Sequence, residues 1–162
     1  MKTYNILFLC THNSARSVLG EALASTQTNG KFVGYSAGST PAGAVNPFAR
    51  DLAIEMGYPE AKLRSKSWDE FALPTAPKMD FIITVCDNAA GEVCPVWVGT
   101  PVTAHWGFPD PSRVQGTDED KRRAFFDVML GLRQRLQLMA DLPLEQLAQM
   151  SLQEKVRELA NV

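Results

Sequence analysis

Two hydrophobic periods alternate along the chain. Residues 5 to 9, Asn-Ile-Leu-Phe-Leu, form a short apolar run that ends in polar loop residues, which suits a strand buried on both faces of a parallel sheet. Val18, Leu19, Ala22 and Leu23 then recur at helical spacing and predict an amphipathic helix from about 15 to 26. A second strand is expected over Phe32 to Ser36, closed by Gly38. Asn46-Pro47 then provides an N-cap with proline at the first helical position, for a helix ending at Gly57. Trp68 to Leu73 reads as a short helix before the proline-bearing segment Pro74 to Pro77, Asp80 to Cys86 as a third buried strand, and Val102 to Trp106 as a short fourth.

From Asp118 to about Ala140 a long helix is predicted, with Phe125, Val128, Met129, Leu132, Leu136 and Met139 on one face and Pro143 beyond its end. Farther on, a capping-box pattern at Ser151 to Glu154 with apolar Val156 and Leu159 predicts one or two further short helices. Strands alternating with helices imply an α/β fold with a parallel sheet covered on both faces and a binding site beyond the carboxyl ends of the strands. Cys10 and Cys86 both fall at such ends.

Composition narrows the class. At 162 residues with 45% hydrophobic side chains, the chain fits one domain, 1–162, with 141–162 as a helical C-terminal extension. A formal net charge of -2 provides no broad positive field for nucleic acid or anionic membrane, so an anionic substrate must be held locally. The first apolar stretch is too short for a secretory signal and no run approaches membrane-spanning length. Three cysteines, an odd number, argue for reactive thiols in a reducing compartment rather than a disulfide framework, and the expected location is the cytoplasm.

Candidate chemistry concentrates in Cys10-Thr-His-Asn-Ser-Ala-Arg16-Ser17, which links the first strand to the first helix. Backbone N–H groups of a tight loop at a helix N-terminus converge on a tetrahedral oxyanion, and the helix dipole adds positive potential. That field is expected to depress the Cys10 pKa and populate the thiolate, the competent nucleophile. The oxyanion loop is assigned to Thr11, His12, Asn13, Ser14, Ala15 and Arg16. Arg16 would grip two oxygens with its planar fork, Ser17 would donate a hydrogen bond to the Cys10 sulfur, and Asn13 would brace the loop. His12 is read as an ordinary polar loop residue.

Three segments carry a resemblance: Leu9-Cys10-Thr-His-Asn13-Ser-Ala-Arg16-Ser17, Tyr35-Ser36-Ala37-Gly38 and His105-Trp106-Gly107-Phe108-Pro109-Asp110-Pro111. Over roughly residues 4 to 140 the chain resembles arsenate reductases of the low-molecular-weight tyrosine phosphatase-like class. The resemblance implies a three-layer α/β sandwich with a four-stranded parallel sheet. It also implies that Asp110 is the general acid that protonates the departing oxygen, and that arsenate is the substrate, with phosphate and sulfate as binding analogues.

The loop and the acid would serve a phosphatase equally, so the choice of reaction rests on Cys86 and Cys94. A second thiol attacking the Cys10 sulfur would release arsenic as arsenite, and Cys94 could then attack Cys86 and carry the disulfide to a polar segment. The resemblance implies this relay with thioredoxin as electron donor, or alternatively glutaredoxin with glutathione. The absence of tyrosines around Asp110 also favours the reductase. Some relatives bind potassium with residues like Asn13, Glu21 and Ser36 plus an aspartate that has no match here. Lys66 could supply that charge instead, and no metal or cofactor is expected. The remaining readings are a low-molecular-weight tyrosine phosphatase, a noncatalytic anion-binding or redox-sensing module, and a zinc site drawn from Cys10, Cys86, Cys94, His12 and His105.

Overall fold

The apolar run at the start of the chain becomes the centre of a sheet. Strand β1 (Tyr4–Cys10) lies between β2 (Phe32–Gly38) and β3 (Phe81–Thr84), and β4 (Val102–His105) is outermost on the β3 side, all neighbours being parallel. This computed structural model describes residues 2–86 and 100–162. The chain leaves β1 for one side of the sheet and returns on the other, so the carboxyl ends of β1 and β3 flank a topological switch point, where α/β folds bind ligands. In register, Cys10 sits opposite Gly38, and Leu9 opposite Thr84.

Alternation along β1 assigns its side chains to two cores. Ile6 and Phe8 face the layer built from α1 (Arg16–Thr26), α2 (Pro47–Glu55), α3 (Asp118–Ala140) and α4 (Gln149–Glu158), whose buried residues include Leu19, Leu52, Leu132 and Val156. Leu7 and Leu9 face the opposite layer with Ile82, Phe71 and Met79, against half-buried Tyr35 and Trp68. Each fully buried leucine, isoleucine or phenylalanine in these layers contributes about 1.5–3 kcal/mol of transfer free energy. The sheet is thus covered on both faces, as its uninterrupted apolar strands require.

The helix boundaries follow local chemistry. The Asn46 side chain accepts the Phe48 N–H with Pro47 at the first helical position, and Gly57 (φ +92°) lies just beyond α2. Helix α3 starts with a reciprocal capping box between Thr117 and Asp120.

Three local expectations are revised. Residues Trp68–Phe71 form a 3-10 turn rather than a longer helix, stopped by Ala72 and the prolines that follow. Strand β3 ends at Thr84, because the Val85 carbonyl accepts the Phe108 N–H at 3.1 Å instead of continuing the ladder. Ser151 caps nothing: α4 already begins at Gln149. Its phase is set by the edge of the sheet. Gln149 Nε2 donates to the Thr100 carbonyl (2.7 Å), Gln153 Oε1 accepts the Thr103 N–H (3.5 Å), Arg157 Nε donates to the Thr103 carbonyl (2.9 Å), and Leu152 and Val156 enter the core. These side chains occupy backbone groups that an outermost strand would otherwise expose.

Candidate active site

Cys10 ends β1 only 4% exposed, and the chain then turns through residues 11–15 into α1. The turn needs a left-handed residue, and Asn13 supplies it at φ +47°. Its fully buried side chain braces two elements, since Nδ2 donates to Ser17 Oγ at 2.8 Å and Oδ1 accepts the Lys66 N–H at 2.9 Å. Other loop carbonyls are held too: Thr11 O by the Thr40 N–H, His12 O by the Ala42 N–H and Ser65 Oγ, and Ser14 O by the Asn46 N–H. The loop packs so closely on β2 that a Cβ at Gly38 would lie 2.5 Å from the Thr11 carbonyl oxygen and 2.9 Å from that of Cys10. No carboxylate lies in the first turn of α1, so its positive end meets the loop uncompensated.

The two thiols predicted at strand ends meet at this loop. Cys86 Sγ accepts the Thr11 N–H at 3.3 Å and lies 3.5 Å from Thr11 Oγ1, and its thiol is hydrogen-bonded with Cys10. That hydrogen bond, together with burial, pushes the Cys10 thiol well above its usual value. Ser17 Oγ, donating to Cys10 Sγ at 3.5 Å, and the Asn13 N–H pull the other way. The expected depression of the Cys10 pKa is therefore overturned for this arrangement, in which Cys10 and Cys86 share a buried niche. Both are reduced.

Arg16 opens α1 and is anchored from the far side of the site. Its Nη1 donates to the Phe108 carbonyl at 2.8 Å, and Nη2 lies 3.8 Å from Asp110 Oδ2. Its Nε is buried with no hydrogen-bond partner among the described residues, a donor that an oxyanion in the loop can satisfy. Asp110 accepts the Ser112 N–H (2.9 Å) and Ser112 Oγ (2.6 Å), with Arg113 Nε at 3.7 Å. Burial alone would raise its carboxyl. The Ser112 hydrogen bonds and the Arg16 and Arg113 guanidiniums outweigh burial and hold it below its usual value. An anion that engaged Arg16 would weaken that hold.

Behind the loop lies a buried polar cluster. Glu21 accepts Ser36 Oγ (2.6 Å) and Tyr58 OH and faces Lys66 Nζ at 3.3 Å, while Lys66 also donates to Ser36 Oγ and the Arg64 carbonyl. Burial lowers the Lys66 pKa despite Glu21, and burial followed by the Glu21 carboxylate raises that of Tyr58. Lys66 thus supplies a positive charge beside Glu21 and Ser36, and its backbone N–H reaches Asn13.

The structure brings Cys10, Asn13, Arg16, Ser17, Cys86 and Asp110 together. His12 is exposed, with Nδ1 3.2 Å from the Thr40 carbonyl, and His105 Nδ1 lies 2.7 Å from Thr84 Oγ1. Cys94 lies outside the described residues. Among the described residues no three His, Cys, Asp or Glu side chains gather as a metal-ligand set, and no helix is long and apolar enough to cross a membrane. Sequence reasoning did not single out Phe108 or Tyr58. Glu21, lying within the apolar spacing of α1, is a signal of a buried carboxylate needing partners.

A thiol at the foot of an anion loop, an arginine fork and a nearby carboxylic acid define a class of enzymes that attack tetrahedral oxyanions with sulfur. The chain belongs to the low molecular weight phosphotyrosine protein phosphatase family, whose model matches residues 5–156 and so reaches into α4, beyond the resemblance at residues 4 to 140. It is 35% identical over 136 residues to the arsenate reductase of Halalkalibacterium halodurans, covering 84% of this chain and 94% of that protein. It is 38% identical over 126 residues to the arsenate reductase of Bacillus subtilis, covering 78% and 86% respectively. Its fold matches the crystal structure of arsenate reductase from Archaeoglobus fulgidus with a TM-score of 0.63 at 29% identity, over 85% of this chain and 99% of that one.

Proposed function

We propose that this protein reduces arsenate to arsenite, with Cys10 as nucleophile and a Cys10, Cys86, Cys94 thiol relay. The observation that carries this reading is the second thiol: Cys86 sits against the Cys10 sulfur inside the anion loop, where hydrolysis has no use for it and two-electron transfer requires it. Its similarity to the curated arsenate reductases supports the same assignment.

In the proposed sequence the Arg16 fork and the loop hold the oxyanion. The Cys10 thiolate attacks arsenic, one oxygen leaves with a proton from Asp110, and a sulfur–arsenic(V) bond remains. The Cys86 thiolate then attacks the Cys10 sulfur. The electron pair of the sulfur–arsenic bond stays on arsenic, which departs as arsenite while the two sulfurs join. Cys94 next attacks Cys86, freeing Cys10 and leaving a Cys86–Cys94 disulfide. Thioredoxin is the proposed dithiol that reduces this bond, in the cytoplasm, where thiols are kept reduced.

The pairing of Cys10 with Cys86 gives the cycle a defined start. The hydrogen bond with Cys86 and burial hold the proton on the Cys10 thiol until an oxyanion enters, while Cys86 Sγ stays against the Thr11 N–H.

NADPH consumption by wild type and Cys94→Ser with arsenate, thioredoxin and thioredoxin reductase tests the proposal. Arsenate-dependent turnover lost in the variant is the expected result. Activity with glutaredoxin and glutathione alone would move the donor. Silence with both systems, accompanied by hydrolysis of aryl phosphates, would replace reductase by phosphatase.

A further inference from the structure

Phe108 connects parts of the site that are distant in sequence. Its N–H donates to the Val85 carbonyl (3.1 Å), one residue before Cys86, its carbonyl accepts Arg16 Nη1 (2.8 Å), and Asp110 follows two residues later. The backbone of this residue therefore touches the segment bearing the second thiol, the anion-gripping arginine and the acid. Its ring lies outside the site, in a slot on α3. A Cβ at Gly131 would fall 2.7 Å from Phe108 Cε1, so the absence of a side chain there makes the floor of the slot. The Arg135 guanidinium covers the ring at 4.6 Å from its centroid.

Arg135 is itself built in. Nη1 donates to the Gly131 carbonyl (3.0 Å), and Nη2 donates to the carbonyls of Ala160 (3.3 Å) and Val162 (3.2 Å), beyond α4. A planar guanidinium held through both terminal nitrogens is a stiff plate, which a flexible ammonium is not. Ala160 and Val162 thus hold Arg135, which holds the Phe108 ring, whose carbonyl holds Arg16.

We propose that Arg135 is a positioning residue for the oxyanion site, clamping Phe108 in the Gly131 slot so that its carbonyl keeps the Arg16 fork in its gripping pose. Arg135 touches neither the substrate nor the thiols and acts through Phe108. Arg16 spends one Nη1 N–H on a fixed carbonyl and is thereby prevented from rotating, so the ordering of its long side chain is complete before the anion arrives. The inference rests on the function proposed above for the identity of the oxyanion, and it can be measured without turnover.

The test compares wild type, Arg135→Leu, Arg135→Lys and Gly131→Ala. Inorganic phosphate is titrated as protectant of Cys10 against iodoacetamide, beside the KM and kcat for arsenate and the thermal midpoint. For Arg135→Leu the phosphate protection constant and the arsenate KM rise together by roughly tenfold, the effect of misplacing one charge-assisted contact. The alkylation rate without phosphate stays within about twofold, because the Cys10 niche is untouched. Arg135→Lys, which keeps a cation over the ring, falls between. Gly131→Ala, which pushes on the ring from the other side, reproduces the weakening and serves if Arg135→Leu does not fold.

Folded Arg135→Leu and Gly131→Ala proteins with wild-type phosphate constants would overturn the proposal. So would weakening matched by an equal change in anion-free alkylation, which is the mark of general loosening. A wild type that binds phosphate but does not turn over arsenate would count against the proposed function while leaving this test intact.

Discussion

Replacing Ser17 by alanine separates the thiol's environment from its packing. Ser17 is fully buried, and its hydroxyl accepts from Asn13 Nδ2 at 2.8 Å while donating to Cys10 Sγ at 3.5 Å. The donated bond lowers the Cys10 pKa, so its removal raises it. A hydrogen bond to a charged group contributes about 1.5–3 kcal/mol, and a bond at this length belongs at the low end, which corresponds to about one pKa unit and a roughly tenfold smaller thiolate fraction at neutral pH. The assay is the pH profile of iodoacetamide alkylation in a Cys86→Ser, Cys94→Ser background, where Cys10 is the only thiol left of three. The midpoint should move upward by about one unit relative to the same background with Ser17. Asn13 also loses its acceptor, so stability should fall by about 1–3 kcal/mol, at about 2–4 °C in thermal midpoint per kcal/mol. An unchanged or lowered alkylation midpoint would refute the role given to the hydroxyl.

Further perturbations probe the acid, the buried cluster and the loop. Asp110→Asn should slow arsenate turnover by about 10²–10⁴-fold, measured in the coupled assay with phosphate affinity as the control for binding. Because Asp110 is held below its ordinary value, its charge stabilises the fold above about pH 4 and the contribution is lost as pH falls through the native value. Urea titrations should accordingly find Asp110→Asn less stable than wild type at pH 7 and level with it in acid. Glu21→Gln leaves the Lys66 ammonium buried without its counter-charge and should cost about 3–5 kcal/mol in urea titration, with much of the loss recovered in Glu21→Gln, Lys66→Met. A single variant within 0.5 kcal/mol of wild type would contradict that pairing, this being the usual range for a surface substitution. Gly38→Ala drives a methyl into the Thr11 and Cys10 carbonyls and should abolish phosphate protection of Cys10, as read by alkylation.

What could be read from the chain and what could not divides along physical lines. The β1, loop and α1 succession was legible because it is local: a doubly buried strand lacks alternation, a helix shows its 3.6 period, and polar residues must join them. Asn46-Pro47 worked for the same reason, its cap being completed two residues away. Ser151 misled because its pattern is equally local, whereas the phase of α4 is decided by Gln149, Gln153 and Arg157 reaching the edge of β4. The niche shared by Cys10 and Cys86 could be placed only as two strand ends. The sulfur contact that raises the Cys10 pKa joins residues far apart in the sequence, and no local pattern encodes it. Phe108 stood in a recognised segment without a role of its own, since that role lies in a backbone carbonyl, which every residue possesses.

The central claim is that two thiols at the anion loop supply the electrons, and a single turnover without external reductant tests it most directly. Fully reduced protein is mixed with excess arsenate, and arsenite and remaining free thiols are counted. The account predicts one arsenite released per chain with two thiols lost in the wild type, and no arsenite from Cys86→Ser although Cys10 is still protected from alkylation by the anion. Arsenite release by Cys86→Ser equal to that of the wild type, or none from a wild type whose thiols stay reduced, would contradict it.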